Sequence, residues 1–376
     1  MTPPDIQTQL HDALPGATFE LTALGLYCQR ERLPDKDALR FAERVLLRHG
    51  PVRVLDLTHG TDLLSDNAVP HDGADIALYE GVMTSDGSTV FRVDHHYDVP
   101  SLARTSSTPM VLQWLRGLHE RGRTDILNEV ARSRYLADHA DTDILLANHL
   151  AGLASDRSLL FGPLGDWYAA AALRNDYVLF PSASAEPQAS RAFYTCIGLE
   201  KAVLASEVTF AETQSRYLPT LGRLLLGEHH DLDAQTVRRL DTWAEQMRAK
   251  EAQTLATISA WHSAGHLTWE LGGRLAVLEA AYKIDNADFF LHLAQGSAKP
   301  VVQLLSYPAP NPNDGGVIYK VRAHDGFDLN PLLRHLQQVA PEARFGGRSA
   351  AGGSKPVKPL ARQLLVDAVR WALDNP

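Results

Sequence analysis

Val90-Phe91-Arg92-Val93-Asp94-His95-His96-Tyr97-Asp98 is the stretch on which the reading of this chain turns. Val90, Phe91 and Val93 suit a β-strand, and they run into a cluster of one aspartate and two histidines. Pro100 and then Arg104-Thr105-Ser106-Ser107-Thr108 follow. An apolar strand that delivers carboxylate and imidazole groups at its C-terminal end is how open α/β sheets present ligands to a crevice. Aspartate oxygen and histidine nitrogen together suit zinc, manganese or iron. Taken alone, the stretch is equally a surface turn that carries two histidines.

A second cluster shifts the balance. Tyr135-Leu136-Ala137 leads into Asp138-His139-Ala140-Asp141-Thr142-Asp143, and the helical run Ile144–Leu150 comes next. Alternate side chains of an extended segment share a face, so His139, Asp141 and Asp143 can point together. One metal ion takes about four to six ligands, so donors in this number point to two ions. Two divalent ions about 3.5–4 Å apart are the usual device for cleaving phosphate esters.

Val93-Asp94-His95-His96 followed by Thr105-Ser106-Ser107-Thr108 resembles the DHH phosphoesterases, whose Asp-His-His signature precedes a Ser-Ser-Thr helix start. His139-x-Asp141-x-Asp143 resembles the first metal motif of the same family. Near the C-terminus, Phe345-Gly346-Gly347-Arg348-Ser349-Ala350-Ala351-Gly352-Gly353-Ser354 is similar to the Gly-Gly-His-x-x-Ala-Ala-Gly loop of the DHH-associated domain. Two departures stand out. The His-x-Asp-x-Asp element follows Asp-His-His here, whereas the family has it first, and a rearranged strand order would reconcile the two. Arg348 stands where the family has histidine.

The resemblance, to the RecJ- and oligoribonuclease-like branch, implies an α/β fold in three parts. Residues 1–185 would be a parallel-sheet DHH-like catalytic domain, 186–285 a helical connector, and 286–376 a smaller α+β DHH-associated domain. It implies two Mn²⁺ ions, with Mg²⁺ or Zn²⁺ as alternatives, held by Asp94, His95, His139, Asp141 and Asp143. Asp56 and Asp166 are further candidates. The strand-like Pro51–Gly60 run, closed by a glycine turn, brings Asp56 to a strand end, where it equally serves as a turn cap, and Asp166 is equally well placed as a helix N-cap. Asp94 and His95 would also act in catalysis, with His96 nearest the phosphate as hydrogen-bond donor or acid.

The C-terminal loop has its own logic. Gly346 and Gly347 leave backbone amides unobstructed and permit positive φ, so the loop can form an anion nest. Arg348 adds a bidentate phosphate donor, and Arg322 a second. Gly346, Gly347, Arg348 and Arg322 are therefore the expected substrate-binding residues. Without the metal motifs, the same loop would read as a flexible turn.

The composition sets bounds. A chain of 376 residues is long for one core and typical of two domains. Hydrophobic residues make up 45% and charged residues 22%, which is ordinary for a soluble globular protein. A net charge of −9 argues against coating nucleic acid by bulk electrostatics and leaves room for a local basic groove. Cys28 and Cys196 are the two cysteines, too few for a disulfide framework, so a reducing compartment is expected. Met1-Thr2-Pro3-Pro4-Asp5 does not open a signal peptide, and no run approaches the ~20 apolar residues of a membrane helix. A cytoplasmic protein without a membrane partner is expected.

Along the chain, residues 1 to about 50 read as a capping segment with a helix over Asp37–Leu47. Asp75–Glu80 and Thr89–Val93 read as strands, and Pro109–His119, Ile144–Leu153 and Tyr168–Leu173 as helices. The stretch from about 190 to 282 reads as mostly helical, and His229-His230-Asp231 within it as a solvated loop. Strands over Val301–Leu305 and Val317–Arg322, a helix over Leu332–Val339 and a terminal helix around Leu360–Leu373 complete the reading. The expected activity is metal-dependent hydrolysis of phosphodiester bonds in nucleotides or short oligonucleotides, and a homodimer is compatible with it. Pyrophosphate or polyphosphate cleavage is the alternative enzyme reading. A degenerate single-stranded nucleic-acid binder is the non-enzyme alternative, against which the acidic charge and 7% aromatic content weigh.

Overall fold

The computed structural model describes residues 4–13, 19–28, 36–55, 78–83, 89–93, 105–177, 186–295, 300–310, 316–324, 326–347 and 350–375. The chain divides into two compact units, Met1–Met247 and Arg248–Pro376.

The first unit begins with α1 (Pro4–Ala13), β1 (Phe19–Leu21), β2 (Gly25–Cys28), α2 (Lys36–Leu47) and β3 (Val52–Leu55). It continues with β4 (Leu78–Met83), β5 (Thr89–Val93), α3 (Ser107–Glu120), α4 (Thr124–Arg132), β6 (Arg134–Ala137) and α5 (Thr142–Gly152). The helices α6 (Arg157–Phe161), α7 (Pro163–Tyr177), α8 (Glu186–Leu204) and α9 (Leu218–Leu225) follow, and α10 (Ala234–Ser263) runs across the division. Its sheet has the order β1-β2-β6-β3-β5-β4. The four middle strands are parallel and both edge strands antiparallel, so the sheet is mixed.

Period-two alternation explains the layering. Leu26, Cys28, Val52, Val54 and Leu136 face one side and pack with Ile6, Leu10, Ala42, Val45 and Leu46 of α1 and α2. Tyr27, Leu55, Phe91, Val93, Tyr135 and Ala137 face the other side and pack into the cluster that includes α3 and α5. Residues 1–50, expected as a cap, thus contribute two strands of the sheet. The run Gly25-Leu26-Tyr27-Cys28 is buried at all four positions, so it lacks the polar alternation that marks a half-exposed strand. Gly25 has φ +156°, and a Cβ there would lie 2.2 Å from the Tyr135 carbonyl oxygen, so glycine is what lets β2 close onto β6.

The second unit contains β7 (Leu267–Glu270), β8 (Leu275–Glu279), α11 (Asn286–Gln295), β9 (Val302–Pro308) and β10 (Val317–Ala323). After these come α12 (Asn330–Val339), β11 (Gly346–Gly347), β12 (Ala351–Gly353) and α13 (Arg362–Asp374). Its sheet order is β11-β12-β10-β9-β8-β7, with β8 and β9 parallel and the other neighbours antiparallel. Leu275, Val277, Val302 and Leu304 pack with α12 and α13 on one face. Ala276, Leu278, Leu305 and Tyr307 pack with Phe289 and Leu293 of α11 on the other. The stretch read as a helical connector therefore supplies helices to the first unit and the strands β7 and β8 to the second. His229, His230 and Asp231 lie in an exposed turn, as expected.

Candidate functional site

Four parallel strands bring their C-terminal ends to one edge of the first sheet. Leu55 of β3 pairs with Val93 of β5, and Val54 of β3 pairs with Leu136 of β6. In sequence, Asp56 follows Leu55, Asp94-His95-His96 follows Val93, and Asp138-His139 follows Ala137. Asp56, Asp94, His95 and His96 themselves lie outside the described residues, as does Arg348. β6, which leads into the His-x-Asp-x-Asp element, inserts between β2 and β3.

What β6 delivers is fully described. Asp138 is buried, and its Oδ1 lies 2.6 Å from His139 Nδ1. His139 Nε2 lies 3.5 Å from Asp141 Oδ2. Asp141 is the N-cap of α5, its Oδ1 accepting the Ile144 N–H at 3.0 Å, which leaves Oδ2 turned toward the histidine. Asp143, expected as a ligand beside them, has another role. Its two carboxylate oxygens accept the backbone N–H groups of Ser107 and Thr108, each at 2.7 Å, and the Thr108 hydroxyl donates to its carbonyl at 2.9 Å. Asp143 thus caps α3 from across the fold and holds the Ser-Ser-Thr segment against α5. Asp166 sits on the exposed flank of α7, where it pairs with Arg116 at 2.8 Å. Its carboxylate is 63% exposed, which suits an N-terminal helix charge and not a buried ligand.

Residues not singled out in the sequence complete the surroundings. Asp138 is one of them, hidden because it precedes the alternating motif. Tyr27, in register with Ala137, is pushed up to about 12 by burial, with His139 opposing and Asp138 reinforcing. Burial, and then the Asp138 carboxylate, pushes the Cys28 thiol up to about 12, so it is an inert thiol and not a nucleophile. Glu200 of α8 is held above the usual carboxylate range, first by burial, with the Asp141 charge contributing. After β2 the sequence reaches Asp37 in the first turn of α2, whose side chain lies outside the described residues. Beneath the edge, Arg53 of β3 is buried. It donates from Nε to Asn148 Oδ1 at 3.1 Å and from Nη1 to the carbonyls of Ser133 and Val130 at the C-terminal end of α4. That helix end supplies the negative potential which a buried cation needs. Burial lowers Arg53 to about 10, and burial, then Arg53, lowers His149 to about 4, so His149 is a neutral core histidine.

The donor chemistry bears on a metal. In the neutral ring that donates Nδ1–H to Asp138, the Nε2 lone pair faces a carboxylate oxygen, and two electron-rich atoms across such a gap fit a cation between them. Metal ligands stand about 2.0–2.2 Å from a zinc-like ion, so both atoms can reach one ion. Among the described residues, no group of three or more His, Cys, Asp or Glu side chains is arranged to hold a metal ion. Asp138 is engaged on the far nitrogen, so the described residues supply two donors, and Asp56, Asp94 and His95 would have to complete the set.

The second unit has a site of opposite sign. A cavity of about 620 Å³ is lined by Lys283, Lys320, Arg322, Arg344 and Lys355, together with Asp285, Gly346 and the Ala351–Lys355 stretch. Gly346 and Arg322, named from the sequence, line the cavity, and Gly347 pairs with Gly352. Arg322 is buried, its guanidinium carbon 5.7 Å from the centre of the Phe290 ring. Burial, then Lys283, lowers Lys320 from its ordinary value. A Cβ on Gly353 would lie 2.8 Å from Lys320 Cδ, so glycine there clears the path of the lysine stem. Lys283, Lys320, Arg344 and Lys355 were not read from the sequence.

No family model and no curated protein matches the chain. Among solved structures, it is similar to an exopolyphosphatase-related protein from Bacteroides fragilis, with 12% identity, 92% of this chain and 77% of that chain covered, and a TM-score of 0.34. It is similar to RecJ of Thermus thermophilus in complex with Mg²⁺, with 16% identity, 97% and 55% coverage, and a TM-score of 0.37. A third similar structure, the DHH domain of a member of a family of ribosomal proteins, gives 12% identity, 98% and 97% coverage, and a TM-score of 0.39.

Proposed function

We propose that the chain is a divalent-metal-dependent phosphoesterase of the DHH type that hydrolyses phosphodiester bonds in nucleotides or short oligonucleotides. The observation that carries this reading is the facing pair of His139 Nε2 and Asp141 Oδ2 at the C-terminal edge of β6. Beside it stand β3 and β5, which lead in sequence directly to Asp56 and to Asp94-His95-His96.

Asp94, His95, His139, Asp141 and Asp56 are the residues that would hold two ions, with Mn²⁺ or Mg²⁺ the expected identity. When bound, divalent ions would supply positive charge that eases water ionisation and offsets charge developing on the phosphoryl group. The residues of the chain do the rest. Asp141 is fixed by its cap bond, and Asp143 holds the start of α3 close by. His96 is the group proposed to hydrogen-bond the phosphate. The cationic pocket of the second unit is proposed to bind phosphate through Arg322 and the amides of Gly346 and Gly347, with Arg348, next in sequence, proposed to join them. No helix among the described residues is long and apolar enough to cross a membrane.

The test is a measurement of Mn²⁺ and Mg²⁺ content, followed by hydrolysis of short oligonucleotides, cyclic dinucleotides, polyphosphate and a nitrophenyl phosphodiester. Metal-dependent cleavage of oligonucleotides or nucleotides is expected. Cleavage of polyphosphate alone would favour the pyrophosphatase-like alternative, and tight single-strand binding without hydrolysis would favour the degenerate binder.

A further inference from the structure

Asp138 is the carboxylate that the proposed mechanism leaves in the background, and its surroundings are specific. It lies immediately after β6, is 0% exposed, and has Oδ1 2.6 Å from His139 Nδ1. Asp141, three positions on, is 30% exposed at the open side of the same imidazole. The ring therefore lies between one carboxylate sealed in the protein and one turned outward. On the sealed side, Tyr27 pairs with Ala137 and stacks on Phe210 with ring centres 4.9 Å apart and 10° between planes. Phe210 is itself pinned, because Glu20 accepts the backbone N–H groups of Phe210 at 2.8 Å and Ala211 at 2.9 Å. A buried carboxylate is an expensive way to fill space, and an apolar side chain would pack there at less cost. Its geometry fits one task, that of holding an imidazole in a single tautomer and orientation.

We propose that Asp138 is a positioning residue. By accepting the Nδ1–H of His139, it fixes the ring so that Nε2 carries the lone pair and faces Asp141 as a donor to a divalent ion. The inference rests on the metal-dependent reading above and assigns a residue which that reading does not use. A carboxylate behind a metal-binding histidine raises ligand basicity, and removal of such a partner typically lowers metal affinity about 10- to 100-fold.

The experiment needs no turnover. In the metal-free protein with ¹⁵N-labelled histidine, His139 is expected as the Nδ1–H tautomer, and addition of Zn²⁺ is expected to shift its Nε2 resonance. Asp138→Asn is expected to mix the tautomers and weaken Mn²⁺ binding, measured by calorimetry, about 10- to 100-fold without changing the number of ions bound. In a double-mutant cycle, His139→Ala should abolish the effect of Asp138→Asn, because a partner that acts through the ring has nothing left to position. An additive double mutant would make Asp138 a structural residue and overturn the proposal. Loss of a whole ion in Asp138→Asn would make it a ligand and overturn it too, as would a wild-type chain that binds no divalent ion. Where Asp138→Asn does not fold, the wild-type spectrum decides, since an Nε2–H tautomer is incompatible with the proposal. A chain that binds Mn²⁺ in this manner but cleaves no phosphate ester would sink the functional reading and leave this assignment confirmed.

Discussion

The C-terminal edge of the first sheet and the cavity of the second unit are built from opposite charges by different means. At the sheet edge, acids sit directly behind strand ends, and the backbone fixes them: Asp141 caps α5 and Asp143 caps α3. In the cavity, cations arrive on long flexible stems from a loop, from β10 and from the flanks of the β11–β12 hairpin. Short acidic side chains on rigid caps give precise placement, which suits ions and reacting groups. Long cationic side chains give reach and charge, which suits phosphate groups that vary in position. The difference predicts that the first region will be intolerant of small changes, whereas the second will respond in graded steps.

The sharpest break of this comparison is Asp141→Asn. Asparagine is as good an N-cap as aspartate, so the fold should survive with an unchanged circular dichroism spectrum. Hydrolysis should fall by at least about 10³-fold, equivalent to about 4 kcal/mol of barrier. Activity that persists would place the chemistry elsewhere. In the cavity, Lys320→Ala should weaken short oligonucleotides about 10- to 150-fold, as expected for loss of a charge-assisted contact of about 1.5–3 kcal/mol, and Arg348→Ala is expected to act alike. A nitrophenyl phosphodiester, which has no second phosphate, should be cleaved at the wild-type rate, and metal content should hold. Equal losses on both substrates would move these cations into the chemistry.

Asp143→Ala sharpens the comparison on the side of stability. Without its carboxylate the first N–H groups of α3 lose their acceptor, and unfolding in urea should show a loss of about 1–2 kcal/mol. Mn²⁺ stoichiometry should be unchanged, and a lost ion would return Asp143 to the ligand set. The last test is a pH dependence in the second unit. Burial, reinforced by Asp285 and Glu251 and opposed by Lys250, raises Asp288 to about 7. Between its unfolded pKa near 4 and about 7, the folded state holds a proton that the unfolded state has released, so stability falls as pH rises through that window. Asp288→Asn should therefore raise the melting temperature most at pH 8 and least at pH 4. An equal shift at both values would exclude a titrating Asp288.

The same contrast explains what could be read from the sequence. His139 and Asp141 were legible because contiguous residues after one strand carry the whole local geometry. Asp143 shares their spacing, yet α5 has begun by that point, so the alternation of an extended chain no longer holds and its carboxylate turns to α3. Asp166 looked like a ligand because an acid at a helix start is ambiguous without its partner, Arg116. β2 was missed because burial on both faces erases alternation, and β7 with β8 were missed because they are short strands beside a long helix. Lys283, Lys320, Arg344 and Lys355 were illegible for a deeper reason. They are scattered over some seventy positions of sequence and meet only through the tertiary fold.

The insertion of β6 between β2 and β3 has a consequence for how the chain is made. During synthesis, β2 and β3 emerge well before Arg134–Ala137, and until β6 arrives each has one edge without its native neighbour. Unpaired strand edges are templates for association with other chains, and long-range parallel pairing forms slowly. The nascent first unit is therefore most exposed to aggregation while its last strand is still being translated. The strand that completes the C-terminal edge of the sheet is also the one that seals it, so assembly of the candidate site and protection of the young chain are the same event.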